Sequence, residues 1–257
     1  MTVSASSQEA IPPGAQTLAR GLAILEYLVE SGAPVTATEI AAQSGTHQSS
    51  ASRLLKGLIT AGYVRKVRGK GFAPDVGVFS LAANTAKAFA PTEETQRAMR
   101  ELSRQSPHHI ITLGALWDET LVHLYRVSST EEPFPLSVSS MPLHLSSHAL
   151  IALIQQPENE ALMALEHSRA RFGWARPTRN IPPTEAEVLA LARESCEDDI
   201  LILDDWSVRS RRATCIRIDA PWGPAALTYL GGKGLSPRPK MRKLARESAM
   251  AIEATFH

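Results

Sequence analysis

Apolar positions in the first third of this chain recur at helical spacing. In residues 17–31, Leu18, Leu22, Leu25, Leu28 and Val29 follow one another on a turn-by-turn pattern, which predicts an amphipathic helix closed by Gly32 and Pro34. Thr36 stands three residues before Glu39, the spacing of a capping box, and opens a second helix through Gln43 with Ile40 and Ala41 inward. Gly45 supplies a tight turn. A third helix follows from about His47 to Ala61, with Ala51, Leu54, Leu55 and Leu58 on its buried stripe and Gly62 at its end. Two short runs, 63–67 and 72–73, flank Arg68-Gly69-Lys70-Gly71 and read as a β-hairpin. Three helices followed by a basic hairpin make a winged helix-turn-helix.

Residues 75–90 form a further predicted helix, and Pro91 marks a boundary. Beyond it a helix of about 92–105 leads to strands at 110–117, 121–127 and 134–140. Helices are then expected at 144–155, 158–167 and 184–196, strands at 199–204, 213–219 and 225–230, and a last helix at 238–254. Strands and helices mix without strict alternation, so the class is α+β with a largely antiparallel sheet. The expected organisation is a flexible arm (1–13), a winged helix-turn-helix (14–74), a linker helix (75–90) and a second domain (91–257).

A length of 257 residues suits two domains. Formal net charge is only +1, but its distribution is informative. No acidic residue lies between Glu39 and Asp75, an interval that holds Arg53, Lys56, Arg65, Lys66, Arg68 and Lys70; elsewhere acids outnumber bases. Such local positive charge is the footprint of a nucleic-acid surface. No apolar run approaches a membrane span and no secretory leader is legible, and the two cysteines, Cys196 and Cys215, suit a reducing cytoplasm.

The third helix divides between two tasks. Its inner stripe packs, while Gln48, Ser49, Ser52, Arg53 and Lys56 fall mostly on the outer side. Gln pairs with adenine and Arg with guanine in the major groove, and serine suits phosphate or either base. Thr46, His47 and Ser50 border that surface, and Arg65, Lys66, Arg68 and Lys70 are candidates for backbone or minor-groove contact by the hairpin. One such module reads a short site, so a dimer on a two-fold-related double-stranded operator is expected.

Four other chemistries have candidate residues in the second domain. His144 and His148, four apart on one predicted helix, have a spacing that chelates zinc, with His108, His109, His123 or Cys215 as further ligands, but no H-E-x-x-H accompanies them. Ser146 or Ser147 beside His148 lacks a G-x-S-x-G elbow, so no catalytic residue is assigned and no enzyme is expected. Cys215 is either an inert strand cysteine or a thiolate activated by Arg212 and Arg217. Arg209, Arg211 and Arg212 form either an anion site or a solvated loop. No metal and no cofactor is assigned.

The stretches QTLARGLAILEYL, VTATEIAAQSG and SSASRLLKGLITAGYV, with the glycine-bearing hairpin, resemble the IclR family of bacterial transcriptional regulators. MPLHLSSHALIAL and the run from Asp199 through RRATCIRI to PAALTYLGG continue the resemblance, which covers roughly residues 16–252. It implies a winged helix-turn-helix, a linker helix and a GAF-like effector-binding domain, assembled as a homodimer or a dimer of dimers (homotetramer) and responsive to a small organic acid. The implied effector-site residues are His144, Ser146, Asp204, Asp205, Cys215 and Thr228. The chain departs from the family pattern at Thr46-His47-Gln48, at His148 (commonly glycine), and at Arg217, Ile218 and Leu230. The leading expectation is therefore an effector-modulated DNA-binding regulator. The alternatives are an effector-independent regulator whose second domain serves only oligomerisation, and a metal-responsive one.

Overall fold

The computed structural model describes residues 13–89, 91–117, 119–130, 133–139, 141–207, 212–231 and 236–256. The expected N-terminal arm lies outside them apart from Pro13, as do Arg209 and Arg211. The chain divides into two compact units, one through Ala88 and one from Phe89.

The first unit runs α1 (Pro13–Ser31), α2 (Ala37–Gln43), α3 (Gln48–Thr60), β1 (Val64–Val67), β2 (Gly71–Pro74) and α4 (Val76–Phe89). Ile24 and Leu28 of α1 meet Ile40, Ala41, Ala51, Leu55 and Val64 in one small core. The expected stripe on α1 splits in two. Leu28 is buried, whereas Leu18 and Leu22 are 66% and 51% exposed. Leu18, Leu22 and Val29 form an exposed apolar edge, while half-buried Leu25 packs against the Ile24–Leu28 core, and spacing alone cannot tell a core stripe from a surface one.

The capping box at α2 forms as expected. The Thr36 amide donates to Glu39 Oε2 (2.8 Å) and the Glu39 amide donates to Thr36 Oγ1 (3.3 Å). Gly45 takes φ +57° in the turn between α2 and α3. The hairpin is tied to the loop after α1: the Val35 amide donates to the Phe72 carbonyl (2.9 Å) and the Phe72 amide donates back (2.8 Å). This approach needs a glycine next door. Gly71 has φ +116°, and a Cβ there would lie 2.3 Å from the Val35 carbonyl oxygen. Helix α4 leaves the hairpin with Val76 and Phe79 exposed at 74% and 76%.

The second unit runs α5 (Glu93–Gln105), β3 (His109–Trp117), β4 (Thr120–Val127), β5 (Phe134–Ser139), α6 (Ser147–Leu153), α7 (Glu158–Phe172), α8 (Glu185–Ser195), β6 (Cys196–Glu197), β7 (Ile200–Asp204), β8 (Arg212–Ala220), β9 (Gly223–Gly231) and α9 (Arg238–Glu253). The sheet order is β5-β4-β3-β9-β8-β7-β6, with every pairing antiparallel. Alternation along the strands sorts side chains between two faces. Ile111, Leu113, Ile200, Ile202, Ile216, Leu227 and Tyr229 pack with Met99 of α5 and Met241, Ala245 and Ile252 of α9. Leu201, Leu203, Ala213, Cys215 and Ala226 pack with Leu150 and Ile151 of α6 and Val188 and Ala192 of α8. Helix α7 closes over α6 and α8 through Ala161, Ala164 and Leu165.

The expected helix of 144–155 is shorter and broken. Leu143–Leu145 form a 3-10 turn, and Ser146, in extended conformation, caps α6 by accepting the Ala149 amide (3.3 Å). A serine oxygen at this position satisfies an otherwise orphaned helix amide, so Ser146 begins the helix instead of sitting inside it.

Candidate nucleic-acid interface

The α2–turn–α3 segment is held by backbone and short-side-chain bonds. The Thr46 amide donates to the Ala41 carbonyl (3.0 Å), and Thr46 and Ser44 share a hydroxyl–hydroxyl bond (3.0 Å). Thr46 is thus a half-buried turn residue. His47 occupies the N-cap position of α3 without a side-chain cap bond, and its carbonyl accepts the Ser50 and Ala51 amides. Ser50 is half-buried, while Gln48, Ser49, Ser52, Arg53 and Lys56 are exposed. At 100° per residue Ser49, Arg53 and Lys56 lie on the side away from buried Ala51 and Leu55, with Ser52 at the margin. Arg53 also borders an open, largely apolar groove of about 500 Å³, shared with Leu54, Gly57 and Leu58 of α3 and Thr17, Leu18, Gly21 and Leu22 of α1.

The hairpin carries Arg65 and Lys66 on β1 and Arg68 and Lys70 at its turn. Arg65 Nε donates to the Pro74 carbonyl (3.3 Å), which lays that side chain along the hairpin. Gly69, at φ +70°, and the Lys70 amide bonded to the Val67 carbonyl (3.0 Å) close the turn and leave Lys70 exposed. Sequence reasoning missed Thr38. It is exposed in the first turn of α2, and its hydroxyl accepts a bond from Gln48 Nε2 (3.3 Å). The capping box immediately around it was the available signal.

The residues expected to form an effector site do not all lie on one face of the sheet. Cys215 and Thr228 are adjacent, fully buried cross-strand partners, and the Thr228 hydroxyl donates to Cys215 Sγ (2.8 Å). Burial pushes the Cys215 thiol up to about 12, which excludes an activated thiolate; Arg212 instead binds Asp204, and Arg217 binds Asp219. Asp204 lies on the other face of the sheet from Cys215, where Arg212 and Arg238 hold it. Burial opposes its ionisation, but the two guanidiniums outweigh burial and keep the carboxyl below its usual range. Asp205 is exposed, in a left-handed turn at φ +49°. His144 stacks on Trp174 at 3.9 Å between ring centroids, and its Nε2 donates to the Ala175 carbonyl (2.8 Å).

His148 turns elsewhere. Its fully enclosed ring donates to the Thr112 carbonyl (3.2 Å), meets His123 edge-on at 5.7 Å, and lies where a Cβ on Gly114 would come within 3.2 Å. Burial, reinforced by His123, pushes its pKa down to about 3, so it is neutral at physiological pH. A chelate on one helix face by His144 and His148 therefore loses its premise: the two sit in different elements with different neighbours. An open groove of about 450 Å³ does exist in this unit, but it lies between the α5–β3 turn and α9, lined by His108, His109, Lys240 and Lys243 among others.

Residues 17–68 match the IclR helix-turn-helix domain. The acetate operon repressor of Salmonella typhimurium is 38% identical over 185 residues, which is 70% of this chain and 66% of that protein. The chain belongs to the IclR family. Its alignment thus spans just under two thirds of the curated relative's length. Two solved IclR structures share the fold across both units. The IclR family transcriptional regulator from Brucella abortus is 22% identical, with coverage of 93% and 92% and a TM-score of 0.70. An IclR homolog from Microbacterium hydrocarbonoxydans, complexed with 4-hydroxybenzoate, is 17% identical, with coverage of 93% and 98% and a TM-score of 0.60. Within an IclR fold, then, α3 and the hairpin of this chain carry the exposed bases, and its α6 begins with two serines and His148. No helix among the described residues is long and apolar enough to cross a membrane.

Proposed function

We propose that this chain is a cytoplasmic, homodimeric regulator of transcription that reads an operator through α3 and the hairpin. Gln48, Ser49, Ser52, Arg53 and Lys56 meet base edges and phosphates in the major groove, flanked by His47 and Ser50, with Thr46 holding the turn. Arg65, Lys66, Arg68 and Lys70 contact the backbone or minor groove beside it. The observation that carries this reading is the outer surface of α3: polar and basic, opposite a buried stripe, in an interval with no acidic residue from 40 to 74. Repressor relatives agree with it. A second copy is the natural cover for the exposed Val76, Phe79 and Leu81 of α4, because two-fold operators demand paired recognition helices. Selection from a random duplex pool should yield an inverted repeat. Arg53→Ala should lower affinity for it about tenfold or more while changing random-duplex affinity far less. Equal losses on both would make Arg53 a phosphate contact, and no enriched sequence would sink operator reading itself.

For the second unit we propose response to a small organic acid, the class of ligand carried by the Microbacterium structure. The opposing reading, a unit that only assembles the protein, is favoured by one observation. His144, Ser146, Asp204, Cys215 and Thr228 already bond within the chain. Thermal-shift titration with benzoates and aliphatic carboxylates separates the two: a saturable rise supports an effector, and none across the series supports assembly alone.

A further inference from the structure

The base-reading surface proposed above begins with Gln48, and the structure places one more residue behind it. Thr38 sits in the first turn of α2, fixed by the Thr36–Glu39 capping box on either side of it. Gln48 is the first residue of α3. Gly45 and the Thr46–Ala41 and Thr46–Ser44 bonds hold the two helix starts together, and Gln48 Nε2 donates to Thr38 Oγ1 across the gap (3.3 Å). Both side chains are exposed, so the bond serves no buried core. Bonds of this kind contribute little to folding, but they do fix a rotor.

We infer that Thr38 is a positioning residue for sequence readout: it holds the Gln48 carboxamide in one orientation, so that the α3 surface distinguishes adenine from guanine at one base pair. The inference rests on the operator-reading proposal. Adenine offers an N6 donor beside an N7 acceptor, and a carboxamide matches them with its oxygen and one N–H. With one N–H committed to Thr38, Gln48 keeps that complementary pair, its Oε1 and its second N–H. Guanine presents two acceptors, N7 and O6, so the fixed oxygen would oppose O6. A freely rotating amide could turn its NH₂ group to guanine instead. Thr38 thereby pre-organises a reader that never needs Thr38 itself to touch a base.

The test is parallel operator selection with the wild-type protein, Gln48→Ala, Thr38→Val and Thr38→Ser, each checked for native thermal unfolding. Thr38→Ala substitutes for the valine variant if that one does not fold. The expected result is that one adenine preference per half-site disappears in Gln48→Ala. It should fall about fivefold or more in Thr38→Val and survive in Thr38→Ser, which retains the hydroxyl. Random-duplex affinity and the salt dependence should stay unchanged in Thr38→Val. A uniform loss on all sequences, with a shallower salt slope, would make Thr38 a phosphate contact and overturn the inference. Loss of the preference in Gln48→Ala but not in Thr38→Val would overturn it too, leaving operator reading intact. A wild-type protein with no base preference would instead bring down the reading on which it rests.

Discussion

The outer face of α3 and the helix-covered face of the sheet spend their polar groups in opposite ways. On α3, Ser49, Ser52, Arg53 and Lys56 are exposed. Between α6 and the sheet, Thr228 bonds Cys215, His148 bonds the Thr112 carbonyl, and Ser146 caps the helix, all of them buried. A surface that meets a partner keeps donors and acceptors unspent until the partner arrives. In an interior each one left unmet costs about 1–3 kcal/mol. Chemically similar residues thus serve recognition in one unit and packing in the other.

The sharpest way to break that contrast is to damage the first unit without removing any basic side chain. Gly71→Ala places a methyl 2.3 Å from the Val35 carbonyl at a φ of +116°. A loss of about 3 kcal/mol or more in the stability of that unit is expected, with operator affinity falling alongside. Urea melts compared with binding isotherms check it, and a variant as stable as wild type would show that the hairpin is not anchored at Val35.

Acid tests the interior. His148 is neutral in the folded chain, with its pKa pushed down to about 3, whereas its ordinary value is 6.5. Between those limits the unfolded chain binds the proton and the folded one does not. Stability is therefore complete above pH 6.5 and declines as pH falls toward 3, by on the order of a few kcal/mol over the interval. Burial lowers the pKa of His109, His123 and His144 as well, so His148→Leu should flatten the acid limb of a pH–Tm profile without abolishing it. An unchanged limb would mean that the ring is hydrated.

Two smaller effects sharpen the picture of the binding unit. Thr36→Ala removes the α2 cap and should cost about 1 kcal/mol by chemical denaturation. Lys70→Ala should weaken cognate and random duplexes alike and reduce the log–log salt slope by about one. A selective loss on the cognate site would instead place Lys70 on a base.

Much of this was legible in the residues, for reasons that also explain the gaps. Helices α2 and α3, the hairpin and the antiparallel sheet follow from local signals that tertiary structure leaves standing: the Thr36–Glu39 box, Gly45, Gly62 and period-two strands. The failures lie where several arrangements fit one pattern. Leu18 and Leu22 continue an apolar period as well as Leu28 does, but only Leu28 reaches the core. Cys196, first residue of the two-residue strand Cys196–Glu197, reads as the end of α8 because the strand's pairing partner, Ile200–Leu201, lies past a turn at Asp198-Asp199. His144 and His148 share a helical spacing, and nothing local announces that Ser146 will start the helix between them. On the interface, the basic residues were visible one by one, while Thr38 was missed because its significance lies in a neighbour ten positions away.

The paired backbone bonds between Val35 and Phe72 give the hairpin a mechanical property. A sideways push on it is passed to the segment after α1 by amides and carbonyls, not by interlocking side chains. Its stiffness should therefore tolerate changes of side chain at Val35 and Phe72 yet vanish with proline at position 35, which removes one of the two amides. Amide hydrogen exchange would register that as sudden loss of protection at Phe72, with the turn at Gly69 already fast in both forms.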